Sequence, residues 1–403
     1  MKITALIMAG GRGERFWPRS RKNLPKQFLS LTDDSRTMIQ LTVDRILPLV
    51  DMEDIYIATN KDYKDLVKEQ LPGIPDENIL CEPIGRNTAP CIGLGLMHIS
   101  KKEEILSDFH DISQPNAGQM STGHPASPDT EAGDRDAVMM VLPSDSLIKD
   151  GDRYRDLIQD ACDIAAAGDN LVTMGIRPNY PETGYGYIKY IKKDRSGNSE
   201  DGCGSDGSGE SFDSAFRVDK FVEKPSLEKA REYLASGDYL WNAGMFVWKV
   251  STILKEFSSF LPEMLKGLND IKDAIGTPDE DRVLGEVFPT LESISIDYGI
   301  MEKAGSIYTI PGDFGWDDVG SWLAVERIKS VNEDNNVVAG NVITIGTKDC
   351  IIEAQDKLIA AVGLKDIVVV DTSDATLICN KGATGDIKKV LEALRTGDET
   401  RYL

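Results

Sequence analysis

ITALIMAGGRGERFWPRSRKNLPKQFL, residues 3–29, carries an apolar run of strand length into a glycine cluster and then into a basic segment. A run over 3–8 that is apolar except for Thr4 predicts a strand buried on both faces rather than one half open to water. Gly10, Gly11 and Gly13 follow at once. Glycine permits a backbone path that turns several N–H groups towards one anion. Arg12, Arg15, Arg19, Arg21, Lys22 and Lys26 come next. Arginine offers a planar fork to phosphate oxygens and lysine a mobile point charge, so a basic loop after a strand suits a polyphosphate. The loop is not a P-loop, which needs GxxxxGK[ST]. Nor is it the dinucleotide fingerprint GxGxxG, because Phe16 stands where the third glycine belongs.

This cationic loop sits in an acidic chain. The 403 residues hold 45 Lys and Arg against 67 Asp and Glu, a net charge of −22. That balance excludes a general nucleic-acid or anionic-membrane binder, which needs a basic face, but leaves room for a small anion in one pocket. Cys81, Cys91, Cys162, Cys203, Cys350 and Cys379 form no CxxC pair and read as reduced, mostly buried thiols. No apolar run reaches the length of a membrane span. Lys2 and the apolar run loosely resemble a signal peptide, but the run is too short and leads straight into the basic loop. The expected compartment is the cytoplasm.

Further strands are predicted over 54–59, 78–81, 137–142 and 171–176, with helices over 36–49, 61–71, 89–106 and 152–167. Apolar strands alternating with helices predict an α/β fold with a mostly parallel central sheet, which binds ligands at the carboxyl ends of its strands. Two polar, glycine-rich stretches, 107–136 and 194–214, bury too little to offset their ordering entropy and read as mobile surface insertions. After a boundary within 330–340, short apolar runs separated by turn residues predict a small β-rich domain or short β-helix, closed by a helix over 384–395.

LIMAGGRGERFWPRSRKNLPKQFL resembles the opening of the mannose-1-phosphate guanylyltransferases, sugar nucleotidyltransferases with a GT-A-like, Rossmann-type fold. EPIGRNTAP (82–90), MVLPSDSLI (140–148), TMGIRPNYPETGYGYI (173–188), FVEKP (221–225), WNAGMFVW (241–248), SIDYGIMEKA (295–304) and FGWDDVGSW (314–322) resemble the same family, in its order. The two insertions separate these blocks without entering them. The resemblance implies a catalytic nucleotidyltransferase domain over 1–330 and a β-rich domain over 331–403. It implies transfer of GMP from GTP to mannose 1-phosphate, giving GDP-mannose and pyrophosphate. The partners are then GTP and mannose 1-phosphate, with no nucleic acid and no membrane; a homodimer stays open. Relatives specific for another base or sugar, and a non-catalytic subunit that senses nucleotide sugars, are the alternatives.

The resemblance also implies roles. The Gly10, Gly11 and Gly13 backbone and Arg12 cradle the nucleotide phosphates, with Arg15 and Lys26 against the reacting phosphoryl groups. Asp145 follows the strand at 137–142, which places a hard carboxylate at the ligand edge, suited to Mg²⁺; Asp318 is the second metal ligand, with Asp317 as the alternative. Asn87 and Thr88 face base or ribose, or else cap a helix. Gly184, Gly186, Glu223, Lys224 and Asn242 serve the sugar phosphate. Trp241, Trp248, Trp316 and Trp322 read as packing residues, and Arg19 as a solvated surface cation.

Overall fold

The computed structural model describes residues 1–113, 136–192, 212 and 214–403. Both expected insertions, 107–136 and 194–214, fall mostly outside these residues. The strands of the larger part are β1 (Ile3–Met8), β2 (Ile55–Asn60), β3 (Ile79–Glu82), β4 (Val138–Pro143), β5 (Leu147–Ile148), β6 (Leu171–Ile176), β7 (Tyr187–Tyr190), β8 (Phe216–Val222), β9 (Tyr239–Lys249), β10 (Ile307–Gly312) and β11 (Trp316–Asp317). Among the described residues, nine of them form one sheet in the order β3-β2-β1-β4-β9-β6-β10-β8-β7.

The doubly apolar strands are explained by what covers each face. In β1, Ala5 and Ile7 join one buried cluster and Leu6 the other; in β4, Met140 and Leu142 join the first and Met139 and Val141 the second. The helices Met38–Ile46 and Gly151–Ala167 pack on the first face. Thr88–Ser113, Val250–Phe260 and Pro262–Ala274 cover the second. The predicted strands lie within one residue of those observed.

The sheet is mixed. Pairing is parallel from β3 through β2 and β1 to β4, and between β10 and β6. β9 enters antiparallel between β4 and β6, and β8 and β7 close the edge antiparallel. Trp241, near the start of β9, pairs with Ile176 at the end of β6. An antiparallel strand in a parallel sheet begins where its neighbours end, so the first residues of β9 arrive at the ligand edge. Strands β7 to β10 have no counterpart among the sequence-predicted elements; in β8 and β9 charged or polar residues interrupt a plain apolar pattern.

The rest of the chain builds β12 (Val337–Ala339), β13 (Val342–Ile345), β14 (Ile351–Glu353), β15 (Ile359–Val362), β16 (Ile367–Asp371) and β17 (Thr376–Asn380), followed by the helix Ile387–Thr396. β12, β14 and β16 stack in parallel, β13 stacks in parallel on β15, and β17 pairs antiparallel with β16. Two parallel ladders from successive turns of chain are the geometry of a short β-helix.

This β-helix is fastened to the basic loop. Phe16, Trp17, Leu29, Trp322, Val337, Ile351, Val368, Ile387 and Leu391 share one buried cluster. Trp17 Nε1 and Arg21 Nη1 donate to the Tyr402 carbonyl at 2.7 and 2.9 Å. Arg19, expected at a solvated surface, instead pairs with Glu353 at 3.0 Å, and Lys329 reaches the other oxygen of the same carboxylate at 2.7 Å. The carboxylate is only 4% exposed, and a buried charge is retained only when paired. Removing one partner of a buried pair typically costs about 3–5 kcal/mol. Glu353→Ala should therefore lower the unfolding free energy by about 3 kcal/mol in urea denaturation, and a loss below about 1 kcal/mol, the worth of an exposed pair, would contradict this strut.

Candidate active site

A cleft of about 960 Å³ opens at the ligand edge, lined by the basic loop, by the residues after β4, by 180–186, by the start of β9 and by 316–321. Its cationic end is built by backbone constraint. Gly13 has φ of 58°, and a Cβ there would stand 2.2 Å from Lys26 Cβ, so only glycine lets the loop pass over this lysine. Gln27 fixes the loop from below, donating to the carbonyls of Ala9 and Gly11 at 2.7 and 3.0 Å. Lys26 is 5% exposed. Its Nζ donates to Asp145 Oδ2 at 2.9 Å and to the Asp318 carbonyl at 2.6 Å. Arg15 Nη1 reaches the Gly320 carbonyl at 3.4 Å, and the Arg12 side chain is largely exposed.

Two local devices bring Asp145 and Asp318 together. Ser144 N–H donates to the Met8 carbonyl at 3.1 Å, which ties the turn after β4 to the end of β1. β11 then pairs antiparallel with β5, setting Asp317 opposite Leu147. Asp317 is committed elsewhere: Arg327 grips both its oxygens, and the Val319 N–H donates to Oδ1 at 2.8 Å. Asp318 lines the cleft. Burial pushes its carboxyl above the usual range, opposed by a hydrogen bond from the Tyr185 hydroxyl.

From Tyr185 the wall continues to a second, acidic end. The Tyr185 ring packs edge-on against Trp241 and Trp316, with centroids 5.3 and 5.5 Å apart. Asn242 Nδ2 donates to Asp297 Oδ1 at 2.8 Å, while its Oδ1 accepts from the Gly244 N–H at 3.0 Å. A Cβ on Gly186 would meet Glu223 Oε2 at 2.5 Å, so this glycine makes room for the carboxylate. Glu182 Oε1 accepts the N–H groups of Thr183 and Gly184 at 2.9 and 2.8 Å, which shapes the loop but occupies the Gly184 amide. Lys224 lies just past β8 with φ of 44°. That left-handed turn lets adjacent side chains meet: Lys224 Nζ is 2.7 Å from Glu223 Oε1.

The structure thus gathers Arg12, Gly13, Arg15, Lys26, Asp145, Gly184, Gly186, Glu223, Asn242 and Asp318 around one cleft. Gly10, Gly11, Asn87, Thr88 and Lys224 are not part of its wall. Gly10 lies over Glu82, whose Oε2 is 3.1 Å from where its Cβ would be. Asn87 Oδ1 accepts the Thr88 N–H at 2.9 Å, and Thr88 Oγ1 accepts the Ile296 N–H at 2.8 Å. Sequence reasoning missed Tyr185, Arg327 and Asp297. Asp297 opens the π-helical turn Asp297–Met301 inside the SIDYGIMEKA block, and such turns are frequent at functional sites. It also missed Glu82, which burial pushes up to about 7.

Residues 4–130 and 125–334 match the model of the nucleotidyl transferase family, and residues 340–394 match that of the mannose-phosphate isomerase/GMP-like beta-helix domain. The chain belongs to the nucleotidyl transferase family and is an enzyme of that class. It is 37% identical over 398 residues to a mannose-1-phosphate guanylyltransferase of Escherichia coli strain K12, covering 98% of this chain and 74% of that protein. The mannose-1-phosphate guanylyltransferase ManC of Salmonella typhimurium strain LT2 is also 37% identical, over 98% of this chain and 73% of that one. A crystal structure from Thermus thermophilus, described as a mannose-1-phosphate geranyltransferase, superposes with a TM-score of 0.77 at 31% identity, covering 98% of this chain and all of that one.

The acidic end has a pH signature. The Asp297 carboxyl is pushed up from 3.8 to about 6, first by burial and then by the charge of Glu223. The folded protein therefore holds this proton more tightly than the unfolded chain does. The associated stability is fully present below about pH 4 and is lost as pH rises through about 6. Asp297→Asn stays neutral throughout, so its unfolding free energy should gain on the wild type between pH 4 and pH 7. A difference that is flat over that range would show that Asp297 titrates normally.

Proposed function

We propose that this chain is a mannose-1-phosphate guanylyltransferase, transferring GMP from GTP to mannose 1-phosphate with release of pyrophosphate. One observation carries the reading beside the relatives' names: a single cleft has the cations Arg12, Arg15 and Lys26 at one end and the acid–amide group Glu223, Asn242 and Asp297 at the other. Phosphates suit the first end. Sugar hydroxyls, which donate to carboxylates and amides beside aromatic rings, suit the second.

The proposed step is one displacement. A phosphate oxygen of the sugar phosphate attacks the α-phosphorus, the new P–O bond forms, and the bond to the β-phosphate oxygen breaks with pyrophosphate carrying away the electron pair. The second pKa of a phosphate monoester is about 6, so the nucleophile is ionised at neutral pH and needs no general base. The cleft wall fits that, having no histidine among the described residues. What remains is to hold two polyanions in line and offset their repulsion. Arg12 and the loop backbone, Gly10 and Gly11 included, are proposed to hold the nucleotide phosphates. Arg15 and Lys26 are proposed to face the reacting groups. Glu223, Asn242, Gly184 and Gly186 are assigned to the sugar and Lys224 to its phosphate, with Asn87 and Thr88 on the base side.

Nucleotidyltransferases generally use a divalent metal, and here Mg²⁺ is proposed. Asp145 presents a carboxylate 40% exposed to the cleft, and Asp318 lines the same wall. Among the described residues no three His, Cys, Asp or Glu cluster into a protein cage. Mg²⁺ suits that donor set, because it takes one or two carboxylates and fills its shell with phosphate oxygens and water. When bound, it offsets phosphate charge and makes the α-phosphorus more electrophilic.

The catalytic part is assigned to 1–330 and the β-rich part to 331–403. Among the described residues no helix is long and apolar enough to cross a membrane. A cytoplasmic location is proposed on the free thiols of Cys81, Cys91, Cys162, Cys350 and Cys379 and on the phosphorylated substrates.

Pyrophosphate release with mannose 1-phosphate should be fastest with GTP among the four nucleoside triphosphates and should stop in excess chelator. Asp145→Asn keeps the side chain's size, and its turnover should fall by about a hundredfold or more, with circular dichroism showing a folded protein although Lys26 loses its charged partner. Full activity of that variant, or full turnover in chelator, would sink the metal assignment. Preference for another triphosphate would sink the guanylyl reading.

A further inference from the structure

We propose that Lys388, on the C-terminal helix Ile387–Thr396, is a phosphate-binding residue of this site, so that the β-helix part supplies a side chain to the reaction. The proposal rests on the function argued above. Lys388 lines the same cleft as Arg12, Arg15 and Lys26. It is exposed, and among the described residues it has no ion-pair partner, while its neighbour Lys389 is held by Asp386 at 2.9 Å.

The charge balance of the cleft makes this cation matter. Its wall carries six carboxylates against five cations. Two of the cations are already engaged: Lys26 by Asp145 and the Asp318 carbonyl, and Arg327 by Asp317. Arg12, Arg15 and Lys388 are left to meet a triphosphate that brings several negative charges. Without Lys388, a cleft richer in acid than in base would have to hold that polyanion with Arg12, Arg15, the already paired Lys26 and its metal.

The helix is positioned for the task. Ile387 and Leu391 are buried in the cluster that contains Phe16 and Trp17 of the basic loop. Residues 388 and 395 lie seven apart, on one helical face. From the last turn, Arg395 draws Glu14 into a 2.7 Å ion pair, leaving Glu14 4.0 Å from Arg12. The same helix therefore removes an acid's claim on Arg12 and presents a cation of its own. Lysine on a flexible stem acts as a point charge that can follow a leaving group, so the triphosphate tail and the pyrophosphate it becomes are the groups it fits.

The test is Lys388→Ala in the full chain, assayed forward with GTP and mannose 1-phosphate and in reverse with GDP-mannose and pyrophosphate. The KM for GTP and for pyrophosphate should each rise about tenfold, the size of one charge-assisted hydrogen bond. The KM for mannose 1-phosphate and the melting temperature should not move. Lys388→Arg should recover most of the loss, which a merely structural position would not require. Unchanged KM values for GTP and pyrophosphate, or a rise confined to mannose 1-phosphate, would overturn the proposal. Calorimetric titration of pyrophosphate with Mg²⁺ into both proteins keeps it apart from the substrate assignment. Weaker binding by Lys388→Ala supports the site whichever substrate pair is turned over, and equal binding overturns it.

Discussion

One buried ammonium organises the cleft. Lys26 comes from the basic loop, Asp145 from the turn after β4, and the Asp318 carbonyl from the segment after β11, and they meet at Nζ within 2.9 Å. Burying a charge this deeply is tolerable only because both contacts are charge-assisted or strongly polar. The consequence reaches outward from there. Gly13 must be glycine because the loop crosses directly over Lys26, Gln27 must hold the loop from below, and the Asp145 carboxylate and the Asp318 backbone are held at one ammonium before any substrate arrives. Such pre-organisation is what a reaction between two polyanions needs, since the protein has no bond-making group to contribute and must work through position and charge.

The β-helix has a mechanical part in this. Its rungs and last helix share a hydrophobic cluster with Phe16 and Trp17, and Arg19, Arg21 and Glu14 tie the loop to Glu353, Asp374, Tyr402 and Arg395. The basic residues of the opening stretch therefore divide between those that face phosphate and those that hold the loop in place. That division resolves the contrast between an acidic chain and a cationic loop. Its positive charge is concentrated where one pocket and one internal interface require it.

Much of this was legible in the sequence where the physical signal is local. An apolar run between turn residues marks a strand, and β1 to β4 and β6 were found within a residue. The motif blocks named ten residues that the cleft gathers. Other features depend on pairings between distant segments. Arg19 and Glu353 are 334 positions apart, and nothing near either one distinguishes a strut from a solvated charge. Strand β9 carries Asn242 and Gly244, which line the cleft and blur its periodicity. Asp297 sits in a π-helical turn that no composition announces. Lys388 looks like any lysine on the outer face of an amphipathic helix until the fold brings that helix to the cleft.

The most direct test of the organising role of Lys26 is the single-turnover rate of pyrophosphate release by Lys26→Met, measured with saturating substrates beside the wild type. Methionine retains an unbranched stem of similar length but loses the charge that joins Asp145 to the Asp318 carbonyl. The rate should fall by about a hundredfold or more, with circular dichroism and the melting temperature showing a folded protein. A folded Lys26→Met protein that releases pyrophosphate at the wild-type rate would contradict the account at its centre.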